Sequence, residues 1–108
     1  MLHLMLPDSN VDRGRATKQP ALFADLGVPL LFDAFERQGG RLSGVRVSLF
    51  GGASIPGAPT LFDIGKRNLL AVRKVLWAKR LAVASEDVGG SVSRTVRLVI
   101  ETGATALL

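Results

Sequence analysis

The apolar residues of this chain change their spacing along its length, and that alternation restricts the available folds more than any single motif does. Leu2, Leu4 and Leu6 alternate with His3 and Met5 up to Pro7, the period of a half-buried strand. Residues 8–19, DSNVDRGRATKQ, are polar and rich in turn formers, and with no period they read as a loop. From Pro20 onward Phe23, Leu26, Leu30, Leu31, Ala34 and Phe35 recur at helical spacing until Gly39 and Gly40 stop them. Gly27 and Pro29 interrupt that run, which predicts a kink, or a helix that begins near Pro29.

The second half repeats the change of period. Val45, Val47 and Leu49 alternate with Arg46 and Ser48 and run into Phe50-Gly51-Gly52-Ala53, a strand that empties into a glycine turn. After a loop over 54–60, residues 63–77 return to helical spacing. Ile64, Asn68, Val72, Val75 and Leu76 share one face there, and Lys66, Arg67, Arg73 and Lys74 the opposite one. Residues 81–85 read as a short strand, 86–90 as a turn and 92–101 as a longer strand. The turn around Gly103 makes the final pieces a hairpin. The order β, α, β, α, β, β, β predicts an α/β or α+β layered domain over 1–108, one mixed sheet layered with two main helices.

Composition narrows the chemistry. The chain has 108 residues, no cysteine and a single histidine, which leaves no disulfide, thiolate zinc site or multi-histidine metal site within it. No stretch approaches the ~18 apolar residues a membrane helix needs. The first residues lack the basic leader of a signal peptide, so the default address is cytoplasmic. The net charge is +5, of which +4 lies in residues 55–108. Lys66 to Arg80 carries six positive residues and no acid. Such a run is most simply a solvated helix face, or else a surface for an anionic partner. Six aromatic residues, none of them Tyr, are few for stacking nucleic-acid bases.

Local motifs do not name a reaction. Gly65-Lys66 fails as a phosphate loop, because Thr60 stands where the first glycine should be and Arg67 where Ser or Thr should be. His3 alone is half a catalytic site, since a base needs a nucleophile beside it. Asn68, on the inward helix face, is either a buried hydrogen-bonding residue or a ligand contact. Gly51-Gly52 and Gly89-Gly90 are either tight turns or places where backbone N–H groups approach a substrate oxygen.

Taken together, several segments resemble one family in order and spacing. They are His3-Leu4-Met5-Leu6-Pro7-Asp8-Ser9, Phe23-Ala24-Asp25, Leu49-Phe50-Gly51-Gly52-Ala53-Ser54, Ile64-Gly65-Lys66-Arg67-Asn68, Glu86-Asp87-Val88-Gly89-Gly90 and Arg94-Thr95-Val96. The combination of H-x-M-L-P, F-G-G-A and I-G-x-R-N is similar to the CheD family, the chemoreceptor glutamine deamidases of chemotaxis, over nearly the whole chain. The resemblance implies an α/β sandwich and a protein-glutamine glutaminase without cofactor or metal. Its substrates would be chemoreceptors, and a CheC-type phosphatase is an expected partner.

In that chemistry a cysteine thiolate attacks a glutamine side-chain amide, ammonia leaves, and water hydrolyses the thioester to glutamate. His3 matches the family's histidine, which acts as base and then as acid. Gly51, Gly52, Ala53 and Asn68 occupy motif positions near the site. The family's nucleophile lies in a G-x-G-S-C turn before the histidine strand, with a supporting threonine further upstream, and neither has a counterpart in these residues. The expectation is therefore an N-terminally shortened chain, lacking the family's first strands and inactive by itself. A non-catalytic module that docks on chemoreceptors or a CheC-type phosphatase is the alternative, and a small basic nucleic-acid binder is the third reading. The basic face around Arg73 and Lys74 would steer the protein toward acidic receptor helices.

Overall fold

The computed structural model describes residues 1–54, 56–57 and 63–108. Helix α1 spans Arg13–Lys18, α2 Ala24–Arg37 and α3 Ile64–Ala78, while β1 is Val47–Gly51, β2 Val83–Val88, β3 Val96–Leu98 and β4 Thr105–Leu107. Single 3₁₀ turns cover Ser9–Val11, Pro20–Leu22 and Leu42–Gly44.

The core forms where the apolar stripes of the two long helices meet. Ala24, Val28 and Phe32 of α2 are buried against Val72 and Leu76 of α3, and Val47, Leu49 and Val83 of the strands pack on that cluster. Each fully buried Val, Leu or Phe among them contributes roughly 1.5–3 kcal/mol. β1 and β2 run parallel, with Val47 opposite Val83 and Gly51 opposite Val88, and α3 is the crossover that parallel neighbours require. On the face away from the helices, the Ser48 and Ser85 hydroxyls meet at 2.8 Å. The α/β class and the two layered helices are those the periodicity predicts.

Several local expectations change, among them the turn over 86–90, whose first three residues extend β2 to Val88. The polar segment 8–19 is largely helical, because Asp8 Oδ1 accepts the Asn10 N–H at 2.7 Å and Asp12 Oδ1 accepts the Arg15 N–H at 3.0 Å. Those caps start helical turns without an apolar stripe. The segment around Leu2–Leu6 is not a strand: it makes one parallel bridge, Leu6 to Phe23, and Phe23 leads straight into α2, so no ladder can propagate. Its alternation survives, with Leu2 and Leu4 against the core and His3 and Met5 exposed. The single mixed sheet is replaced by two two-stranded sheets, β1–β2 and antiparallel β3–β4. Positive φ at Gly89 (78°) and Gly90 (68°) turns the chain off the edge of β2, and Val92 stays 70% exposed, so residues 92–95 join neither sheet. Helix α2 starts at Ala24 and runs through Pro29, losing only one backbone bond near its first turn.

Candidate functional site

Parallel pairing brings the C-terminal ends of β1 and β2 side by side, and the two glycine turns leave from there. Gly51 (φ 102°) and Gly52 (φ 66°) adopt left-handed conformations that only glycine holds at little cost. The Gly89 N–H donates to the Gly51 carbonyl at 2.8 Å, and the Ser54 N–H donates to the Gly90 carbonyl at 2.8 Å. Segments nearly forty residues apart in sequence thus form one lip.

Two further elements close on that lip. Arg94 donates through Nε to Asp87 Oδ1 at 2.8 Å and, over a long 3.4 Å, through Nη1 to the Gly51 carbonyl. Its side chain is 15% exposed and that of Asp87 52%, so the pair is open to water on its carboxylate side and acts mainly to hold the guanidinium in place. From the other side the first turn of α3 lies against the turn. A methyl group at Gly65 would run into the Ala53 carbonyl oxygen and sit 2.6 Å from that of Gly52, so helix and loop touch backbone to backbone.

Asp63 caps α3: Oδ1 accepts the Lys66 N–H at 3.1 Å and Oδ2 accepts the Ser54 hydroxyl at 2.8 Å. The Ser54 hydroxyl and then the Lys66 N–H hold its carboxyl below the ordinary value; partial burial opposes them and the Lys66 ammonium assists.

Of the residues singled out in the sequence, Gly51, Gly52 and Ala53 lie on this lip. Asn68 is one turn further along α3, half-buried, and its Oδ1 is buried without a hydrogen-bond partner among the described residues. A buried acceptor left unsatisfied costs about 1–3 kcal/mol. His3 is exposed, and among the described residues no hydrogen bond joins it to the glycine turns.

Sequence reading missed Asp63, Ser54 and Arg94 as the parts that fasten the lip. Only the D-x-x-K start of α3 carried a local signal. Two concavities, one beside Ser9 and Arg13 and one beside Ser43 and Lys79, are lined by neither His3 nor the lip. No helix among the described residues is long and apolar enough to cross a membrane.

These turns coincide with the motif blocks F-G-G-A, I-G-x-R-N and E-D-V-G-G, and a family model described as "CheD chemotactic sensory transduction" matches residues 5–107. The chain belongs to the CheD family. Among relatives, a "Probable chemoreceptor glutamine deamidase CheD" of Syntrophotalea carbinolica is 45% identical over 95% of this chain and 65% of its own length. A protein of the same name from Solibacter usitatus is 47% identical over 95% of this chain and 61% of its own length. A "Probable chemoreceptor glutamine deamidase CheD 1" from Syntrophus aciditrophicus is 43% identical, covering 95% and 64%. The chain therefore spans somewhat less than two thirds of these CheD relatives.

Proposed function

We propose that this chain is the histidine-bearing part of a chemoreceptor glutamine deamidase. The observation that carries the reading is the family match over residues 5–107, which includes the lip motifs; His3 lies just before the matched residues and enters through its place in the H-x-M-L-P segment. The 108 residues contain no cysteine, so the thiol of the reaction comes from a segment outside them. His3 takes the thiol proton, and the thiolate attacks the amide carbon of a receptor glutamine. The imidazolium then protonates the departing ammonia, and water cleaves the thioester to glutamate. An exposed imidazole is free to meet both the thiol and the substrate. Receptor glutamines are the substrate, a CheC-type phosphatase is a possible partner, and the setting is cytoplasmic.

The test is ammonia release from a receptor fragment by a protein that includes the upstream segment. His3→Ala is expected to lower turnover at least about a hundredfold while the circular dichroism stays unchanged, and surviving activity would refute the role. The 108 residues alone are expected to release none. Lack of a cysteine in these residues also favours a second reading, a non-catalytic module that docks on chemoreceptors or a CheC-type phosphatase. In-frame DNA before Met1 without a Ser-Cys turn would decide for that module.

A further inference from the structure

Helix α3 is buried on one side only. Val72 and Leu76 face the core, whereas Leu70 is 58% and Trp77 82% exposed. Seven residues apart, these two lie two turns apart on one outer stripe. Lys66 and Arg73 flank the stripe on one side and Arg67 and Lys74 on the other, all exposed, and α3 holds no acidic residue. Arg73 is engaged with Glu86 at 2.9 Å, so the positive field comes mainly from Lys66, Arg67 and Lys74. Two large apolar side chains amid cations are a poor solvated face, because the exposed indole and leucine gain nothing from water.

The shape of the stripe selects its occupant. It is convex and lines neither of the two concavities, so an extended peptide has no groove to enter. The α3 backbone bonds are used within the helix, so a strand has no edge to join. A second helix brings its own backbone satisfied and can lay an i, i+7 pair along Leu70 and Trp77. Its carboxylates would meet Lys66, Arg67 and Lys74. From Lys66 to Trp77 the stripe runs about 16 Å, three turns, and it starts one residue after Gly65, which touches the lip.

We infer that the outer face of α3 docks an acidic helical segment of the substrate protein and so presents its glutamine at the lip. The partner's identity rests on the deamidase reading; the surface itself does not.

The experiment titrates a purified chemoreceptor cytoplasmic fragment into the full-length protein. The emission of Trp77, taken as the difference from Trp77→Phe, is expected to move to shorter wavelength on binding. Trp77→Ala is expected to weaken binding and raise KM at least tenfold with kcat unchanged. Arg67→Glu with Lys74→Glu is expected to do the same and to flatten the salt dependence. All three positions are exposed among the described residues, and circular dichroism of each variant checks that the fold is kept; loss of the fold in both variants would show that the face is covered by the rest of the protein and overturn the inference. Unaltered affinity and KM in both variants would overturn the inference while leaving the deamidase reading standing. Receptor binding lost through Trp77→Ala in a protein that releases no ammonia would sustain the docking face and defeat the deamidase. Binding to phosphatidylglycerol vesicles or duplex DNA through these residues, with none to the receptor fragment, would overturn the inference.

Discussion

Replacing Gly65 by alanine tests whether the contact between α3 and the glycine lip is as close as the structure shows. In an open helix the change stabilises by about 1 kcal/mol, because alanine loses less backbone freedom than glycine. Here the new methyl would stand 2.6 Å from the Gly52 carbonyl oxygen, where ordinary contact begins at 3.4 Å. The Ala53 carbonyl oxygen lies nearer still, so helix or loop must retreat by more than the roughly 0.8 Å between those distances. Both sides are backbone, so no rotamer change relieves the overlap, and such overpacking costs about 1–3 kcal/mol. Two backbone oxygens overlap the methyl, which puts the cost in the upper part of that range, about 2–3 kcal/mol; against a gain of about 1 kcal/mol, Gly65→Ala is expected to lower stability by roughly 1–2 kcal/mol, or about 4–16 °C in Tm for a chain of this size.

Gly14→Ala is the internal control. Gly14 lies in α1, and the nearest atom to an added methyl is Asp12 Oδ1 at 3.7 Å. That variant is expected to gain up to about 1 kcal/mol. Urea melts followed by circular dichroism measure both. A Gly65→Ala protein as stable as the parent would show that the helix and lip are not in backbone contact, and the packing of Leu69 against Gly52 would fall with it.

Arg80 adopts φ 57° at the end of α3, where the Arg80 N–H donates to the Trp77 carbonyl and the Leu81 N–H to the Leu76 carbonyl. Glycine is the usual residue at this helix end, so Arg80→Gly is expected to raise the urea midpoint by the equivalent of about 1 kcal/mol. Phe32, 5% exposed, sits between α2 and α3; Phe32→Ala is expected to cost about 3–5 kcal/mol, read as a large drop in midpoint. Asp63 titrates below its unfolded value, so its contribution is present above the unfolded pKa and lost as pH falls through the folded one. Asp63→Ala is expected to be less stable at neutral pH and to lose less stability on acidification below about pH 4, measured by melts across that range.

The two long helices and β1 were legible because their apolar residues keep a steady period over many positions. Helix α1 was not, since it rests on the carboxylate of Asp12, just after the 3₁₀ turn that Asp8 caps, and buries only Ala16. The Leu2–Leu6 alternation correctly orients its side chains, yet a strand also needs a neighbour, which periodicity does not supply. The same limit explains the split sheet, where positive φ at Gly89 and Gly90 overrides the apolar run that follows. At the candidate site the glycines and Asn68 could be named from motif blocks. The fastenings could not, because Ser54 to Asp63 and Arg94 to Gly51 are tertiary contacts between residues that no short-range rule links. Trp77 and Leu70 look like ordinary helix members until their exposure is known.

The division into two sheets gives this small molecule two clocks. The main cluster reaches no further than Val83 among the described residues, and every residue of β4 is exposed. The β3–β4 hairpin is held by its own ladder and by the Leu108 N–H to Thr95 bond. It can open and close while α2 and α3 stay packed, so its amide protons exchange with solvent through local opening. Those of Val72 and Leu76 wait for the whole domain to unfold. Arg94, gripping Asp87 and Gly51, marks the boundary between the two regimes.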